Sequence, residues 1–546
     1  MKVRAWRATL STLAVTGLLA ATACAADPAA PQQTPDTAHT NAIGTAARAG
    51  GAVVHTDNGA VRGSIANRTR AFQGIPYAAP PVGKLRWQDP KPVTPWTGVR
   101  DATKPASSCA QNPGSIPDGS GSEDCLYLNV TTPSGKPSGP KPVVVWLPGG
   151  AFIAGTANGL DPKRWVERGD VIVVTANYRL GMLGNFGYPG LAGSGDFALR
   201  DQQAVLRWVQ RNIAAFGGNP GNVTLAGQSS GAMSTCAHLT APGSAGLFHK
   251  AIMASGACEV SWLDNFDTRG KPAGPVFRSR SAVEAAGEQA ARELGCTGAA
   301  GQVLDCLRAL GTDKLKPVLD RFAFPAYGTP TLPADPAEAL ATGRFARVPI
   351  ISGNVHDEAT LTTSTYDNGT PITDRTYDAV LSETFGADRP KVEAEYPRSA
   401  YGSAAEAWAA IVTDRKWLCT QYDSSRRLAR HTSVHQYEFA DPAPPPMWAE
   451  PPAMPMGSYH SSDQWSLFDL GGIAPPFTPD QQHLAEQIID YLSAFAATGN
   501  PGPGWPAFRD GDEPPYTQTL APGSGGIHPV DLAAEHHCGF WAGLGR

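Results

Sequence analysis

A chain of 546 residues that is 42% hydrophobic and 17% charged, with a formal net charge of −5, has ample apolar material for a large core. No basic patch argues for nucleic acid, and internal repeats are absent. The 59 glycines and 49 prolines point to many long loops, where a protein built on a sheet scaffold carries its chemistry.

Residues 1–23 read as a signal peptide. Lys2, Arg4 and Arg7 precede an apolar run from Leu10 to Ala21 and then small residues, a stretch too short with those flanks for a membrane span. No other segment is apolar and long enough to cross a bilayer. Processing after Ala23 and lipidation of Cys24 in "ATAC" both fit, so the expected location is secreted, or lipid-anchored on the outer face of the membrane. Residues 24–50 read as a flexible Ala/Pro/Thr-rich linker; the 51–546 remainder is long enough for several domains, although a large α/β protein can form one. Of nine cysteines, eight remain for pairing in an oxidising compartment once Cys24 is lost or lipidated.

Within that remainder "KPVVVWLPGG" and "DVIVVTANYR" are short β-branched runs ending at turn residues, as in strands buried on both faces of a parallel sheet. "FALRDQQAVLRWVQRNIAAF" instead spaces Val205, Trp208, Val209, Ile213 and Phe216 at helical intervals. "GGNPGN" breaks the chain, "VTLAG" reads as a strand and "SGAMSTCAHL" as a helix. Further strands are expected at "KAIMASG", "VPIISGN" and "VHQYEFA", and a helix at "DQQHLAEQIIDYLSAFAATG", ending at Gly499. This alternation predicts an α/β fold with a large, mostly parallel central sheet flanked by helices.

The G-x-S-x-G frame from Gly227 to Gly231 falls at the strand-to-helix turn. By composition about 0.4 such frames are expected by chance, so its position is what counts. A sharp turn there exposes the central residue, Ser229, above the sheet, and the N–H of Ser230 can point at an oxyanion. A serine hydroxyl needs an imidazole base held by a carboxylate, and 12 histidines and 49 acidic residues leave the choice open by composition alone.

"FQGIPYAAPPVGKLRW", "PWTGVRDAT", "SEDCLYLNV", "NYRLGMLG", the "DQQAVLRWVQRNIAAFGGNPGNVTLAGQSSGAMS" run, "GNPGPGWPAF" and "CGFW" together resemble, in order, the type B carboxylesterase and lipase family. That family is the cholinesterase-like branch of the α/β-hydrolases. The match spans roughly Val53 to Trp541 and implies an α/β-hydrolase fold in one catalytic domain. It also implies an exported serine carboxylesterase acting on small-molecule esters through an acyl-enzyme, without cofactor. No Cys or His cluster has metal-ligand spacing tied to the site, so no metal is expected.

By resemblance the triad acid is Glu358 in "ISGNVHDEAT", with Asp357 as local rival, and the base is His460 in "MGSYHSSDQWSLF", with His528 and His238 as alternatives. The order Ser229, Glu358, His460 is that of α/β-hydrolases. "WLPGGAF" resembles the family's oxyanion loop, with Pro148 for the usual His or Tyr and Ala151 for a glycine. It assigns the N–H groups of Gly150 and Ala151 to join that of Ser230. Ser255 matches a serine that in the family hydrogen-bonds the triad acid.

Trp262 matches a position near the acyl pocket, and Gln228 replaces the acidic residue usual before the nucleophile. The segment from Cys109 to Cys125 carries no aromatic residue that could grip a quaternary ammonium, so neutral esters are expected. The resemblance also pairs Cys109 with Cys125, Cys296 with Cys306 and Cys419 with Cys538, and parity alone leaves Cys236 for Cys258. Lipase, carbamate or amide hydrolysis on the same machinery is the near alternative. A non-catalytic binding protein is the distant one, because fold alone does not fix function.

Overall fold

A computed structural model describes residues 53–113, 121–135, 139–448, 450 and 452–545. The expected signal peptide and linker, with Cys24, lie outside the described residues.

An eleven-stranded sheet organises the domain. Its strands, in chain order, are β1 (Ser64–Ala66), β2 (Thr69–Pro76), β3 (Tyr127–Pro133), β4 (Lys141–Leu147), β5 (Ile172–Ala176), β6 (Gly218–Gln228), β7 (Lys250–Ala254), β8 (Ile350–Val355), β9 (Val434–Phe439), β10 (Thr517–Leu520) and β11 (Ile527–Val530). Across the sheet they lie in the order β1-β2-β3-β5-β4-β6-β7-β8-β9-β10-β11. From β5 to β10 every neighbouring pair is parallel, whereas both edges are antiparallel. The sheet is therefore mixed around a parallel middle.

Alternation along the middle strands explains why they read as unbroken apolar runs. In β4, Val143, Val145 and Leu147 face one core with Val205, Trp208 and Val209 of α1 (Phe197–Asn212). Val144 and Trp146 face a second core with Trp165 and with Leu492 and Phe495 of the long Pro479–Thr498 helix. Both faces are covered, so nothing polar is needed between. The "GGNPGN" break is the irregular start of β6, where the register against β4 shifts between Gly218 and Val223.

The strand order places the site. The chain leaves β4 toward β5 on one side, and leaves β6 toward β7 on the other, so a crevice opens beyond the carboxyl ends of the adjacent β4 and β6. Ligands of open α/β sheets bind at such switch points. A buried bidentate ion pair fixes the loop after β5 to α1: Arg179 Nε and Nη2 donate to the two oxygens of Asp201, each at 2.7 Å.

Four disulfides cross-link the domain: Cys109–Cys125, Cys236–Cys258, Cys296–Cys306 and Cys419–Cys538.

Candidate active site

β6 runs straight into α2 (Ser230–Thr240), and Ser229 stands between them at φ 57° and ψ −126°, a conformation costly for a side-chain-bearing residue. The turn can be this sharp because its flanking positions lack side chains. A Cβ on Gly227 would lie 2.4 Å from Gly231 C, and one on Gly231 would lie 2.0 Å from the Leu147 carbonyl oxygen at the end of β4. Ser229 N donates to the Ala254 carbonyl at 2.9 Å, which anchors the turn to β7.

Ser229 Oγ lies 2.9 Å from His460 Nε2. His460 Nδ1 hydrogen-bonds Glu358 Oε2. The other Glu358 oxygen accepts from Asn354 Nδ2 at 2.9 Å and Val355 N at 3.2 Å. Glu358 is buried on the turn after β8, and the loop bearing His460 is stitched to that turn: Ser458 N donates to Asp357 Oδ2 at 2.8 Å and Asp357 N to Ser458 O at 3.1 Å. Asp357, the rival acid, thus holds the loop backbone.

The other histidines stand apart. His528 is exposed on the edge strand β11, with Nδ1 on Gly525 O. His238, buried in α2, contacts Ser244 Oγ and Gln202 Oε1, each at 2.9 Å, and burial pushes its pKa down to about 3, so it stays neutral.

Beside the serine, the loop after β4 is drawn tight. A Cβ at Gly149 would fall 3.1 Å from Ser229 Cβ, which measures how closely this backbone approaches the serine. Gly150 and Ala151 have φ of 122° and 54°, and their N–H groups make no backbone hydrogen bond. Ser230 is the first residue of α2, where an N–H has no carbonyl within its helix to bond. Among the described residues no backbone carbonyl is paired with these three N–H groups. Ala151 adopts the left-handed backbone a glycine would take freely, held by neighbours on both sides. Tyr178 Oη donates to the Pro148 carbonyl at 2.6 Å, and the Gln111 side-chain amide exchanges two hydrogen bonds of 3.0 Å with the backbone of Gly155.

Three positions differ from what the resemblance implies. Ser255 is buried, but its hydroxyl makes no hydrogen bond among the described residues, and Asn354 takes the expected place on Glu358. Gln228 is 1% exposed, and its amide meets the imidazole edge, with Nε2 3.2 Å from His460 Nε2 and Oε1 accepting from Gln464 Nε2 at 3.3 Å. Trp262 is not set among apolar side chains alone. It packs on Phe324 with ring centroids 4.9 Å apart, and Lys271, Lys416 and Arg278 lie 4.7, 5.7 and 5.7 Å from its ring centroid.

Several contributors carried no local sequence signal. Trp417 lies over His460 with ring centroids 4.7 Å apart. It sits on a π-helical turn, Thr413–Leu418, whose extra residue per turn also brings Asp414 and Lys416 inward. Lys416, 5% exposed, is paired with Asp267 at 2.6 Å. Asp463, three residues beyond His460, is half-buried, and desolvation together with the Glu358 charge pushes its pKa up to about 6.

The placement of Gln228 gives a direct prediction. Gln228→Glu puts a carboxylate beside the imidazole and favours its charged form, so the acid limb of the pH–rate profile is expected to move up by about one unit or more. A profile superimposable on that of the parent would refute this placement.

A serine at a strained strand-to-helix elbow, at the switch point of a sheet wound in this order, belongs to an α/β-hydrolase fold. The profile of the carboxylesterase family matches residues 50–541. The chain is 33% identical over 483 residues to para-nitrobenzyl esterase of Bacillus subtilis, covering 84% of this chain and 93% of that one. It is 32% identical to acylcarnitine hydrolase of Mus musculus, over 84% and 86% of the two chains. A solved structure of PNB esterase superposes with a TM-score of 0.71 at 30% identity, covering 89% of this chain and 98% of that one. The chain belongs to the carboxylesterase family, and it is a carboxylic ester hydrolase.

Proposed function

We propose that the protein is an exported serine carboxylesterase that cleaves neutral esters through an acyl-enzyme. Ser229 Oγ attacks the ester carbonyl while His460 Nε2 takes its proton; the imidazolium returns that proton to the departing alcohol; water then repeats the sequence on the acyl-serine. Glu358 orients the imidazole and stabilises its charge. The N–H groups of Gly150, Ala151 and Ser230 receive the oxyanion, each such donor being worth about 100- to 1000-fold in rate.

The observation that carries this reading is the 2.9 Å contact between Ser229 Oγ and His460 Nε2, with Glu358 on the far nitrogen. Cationic substrates are disfavoured because Gln228 places no carboxylate at His460 Nε2, and because three cations surround Trp262. Export is supported by four disulfides.

An ester panel graded in acyl and alcohol size tests the substrate class: short neutral aryl and alkyl esters are expected to give kcat/KM well above any choline ester. Preference for the choline ester would overturn it. Mass spectrometry of the mature amino terminus tests export, expecting a chain that starts after Ala23 or at a lipidated Cys24; an intact Met1 would refute it.

A further inference from the structure

Outside the triad, the largest unexplained group of titratable side chains lies where the turn after β8, the end of β9, the π-helical turn and the C-terminal segment meet. His356, Glu535 and His536 bring three ligand atoms within 4.8 Å of one another. The two imidazoles come from positions far apart in sequence, and their ring centroids are 5.2 Å apart.

Both rings are oriented the same way. His356 Nδ1 faces Asp357 Oδ1 at 3.1 Å, and His536 Nδ1 faces Asp414 Oδ1 at 2.6 Å. Their Nε2 atoms face carboxylates in turn: Glu535 Oε1 at 3.3 Å from His356, and Glu438 Oε1 at 2.6 Å from His536. An imidazole whose Nδ1–H is held by a carboxylate is fixed in the tautomer and orientation that offers Nε2 to a metal, and is made a better donor by it. Here that arrangement occurs twice around one point.

We propose that this cluster is a binding site for a zinc-class divalent ion, held by His356, His536 and Glu535. Two imidazole nitrogens and carboxylate oxygens suit zinc in tetrahedral geometry. His356 and Glu535 are partly exposed, which gives the ion a way in from solvent, while His536 and Glu438 form the buried floor. Asp357 is the residue that stitches the His460 loop to the turn bearing Glu358, so an occupied site ties the C-terminal segment to the backbone that carries the base and its acid.

Equilibrium dialysis of the untagged full-length protein against Zn2+, together with visible absorption of the Co2+ form, tests this. The expected result is one ion beyond that retained by His356→Ala, an intense tetrahedral Co2+ band, and affinity lowered about tenfold or more in Glu535→Gln. His356 and Glu535 are partly exposed, so both variants are expected to keep the parent circular dichroism spectrum. Absence of stoichiometric binding, or binding undiminished in both variants, overturns the proposal.

Discussion

Ser229→Ala is expected to lower hydrolysis of a short-chain aryl ester by about a million-fold and to abolish stoichiometric labelling by a fluorophosphonate. Ser230→Ala, one residue on in the same frame, is expected to cost less than about tenfold, because what Ser230 supplies is a backbone N–H that alanine retains. The contrast follows from the elbow: only Ser229 has its hydroxyl at His460 Nε2. Labelling that survives Ser229→Ala but is lost in Ser230→Ala would reverse the assignment. Activity is also expected to fall in acid, since a protonated imidazole cannot accept the serine proton. A profile flat from acid to alkali would exclude a histidine base.

The second large effect concerns stability. Asp267 is the counter-ion of buried Lys416 at 2.6 Å and also pairs with Lys271 at 2.7 Å. Burial alone would raise the Asp267 pKa, but the two ammonium groups overcome it and hold the carboxyl well below its ordinary value. Asp267→Ala leaves Lys416 charged and unpaired in the interior, at an expected cost of about 3–5 kcal/mol in urea unfolding. Removing both charges, in Asp267→Asn with Lys416→Met, is expected to recover most of that loss, since the pair's attraction largely offsets its own desolvation. A single and a double variant of equal stability would sink this account.

The sign of the pH effect is fixed as well. A carboxyl whose pKa falls on folding contributes stability that is complete above its unfolded value, near 3.8, and is lost as pH drops through the folded one. The penalty of Asp267→Ala should therefore shrink only in strong acid.

How far the sequence could carry these conclusions depended on the range of the interaction. The central strands and α1 were legible because burial on two faces, or on one helical face, imprints a period on consecutive residues. The elbow was legible because the frame is contiguous in sequence and falls between a strand-like and a helix-like run, although the contact that forces Gly231 comes from distant Leu147. Glu358 and His460 came through family resemblance; nothing local singles them out.

Of the outer antiparallel strands, the edge pair β1 and β11 were missed because they are short and half-covered, and β11 turns His528 outward. The resemblance suggested Ser255 as the partner of Glu358, but which side chain reaches a buried carboxylate is decided by packing, and Asn354 does so. The same is true of Gln228, whose amide meets the imidazole edge, and of the π-helical turn, whose residues have no shared propensity. No spacing rule could join His356 to His536.

The strand order carries a consequence for biosynthesis. A growing chain that has reached Phe439 already holds Ser229 and Glu358, yet it has no base, because His460 arrives on the following loop. The π-helical turn that bears Trp417 is held in turn by His536 and by the Cys419–Cys538 bridge, both supplied from more than a hundred residues downstream. A chain that lacks the segment carrying His536 and Cys538 loses both of these holds on the turn that lies beside His460.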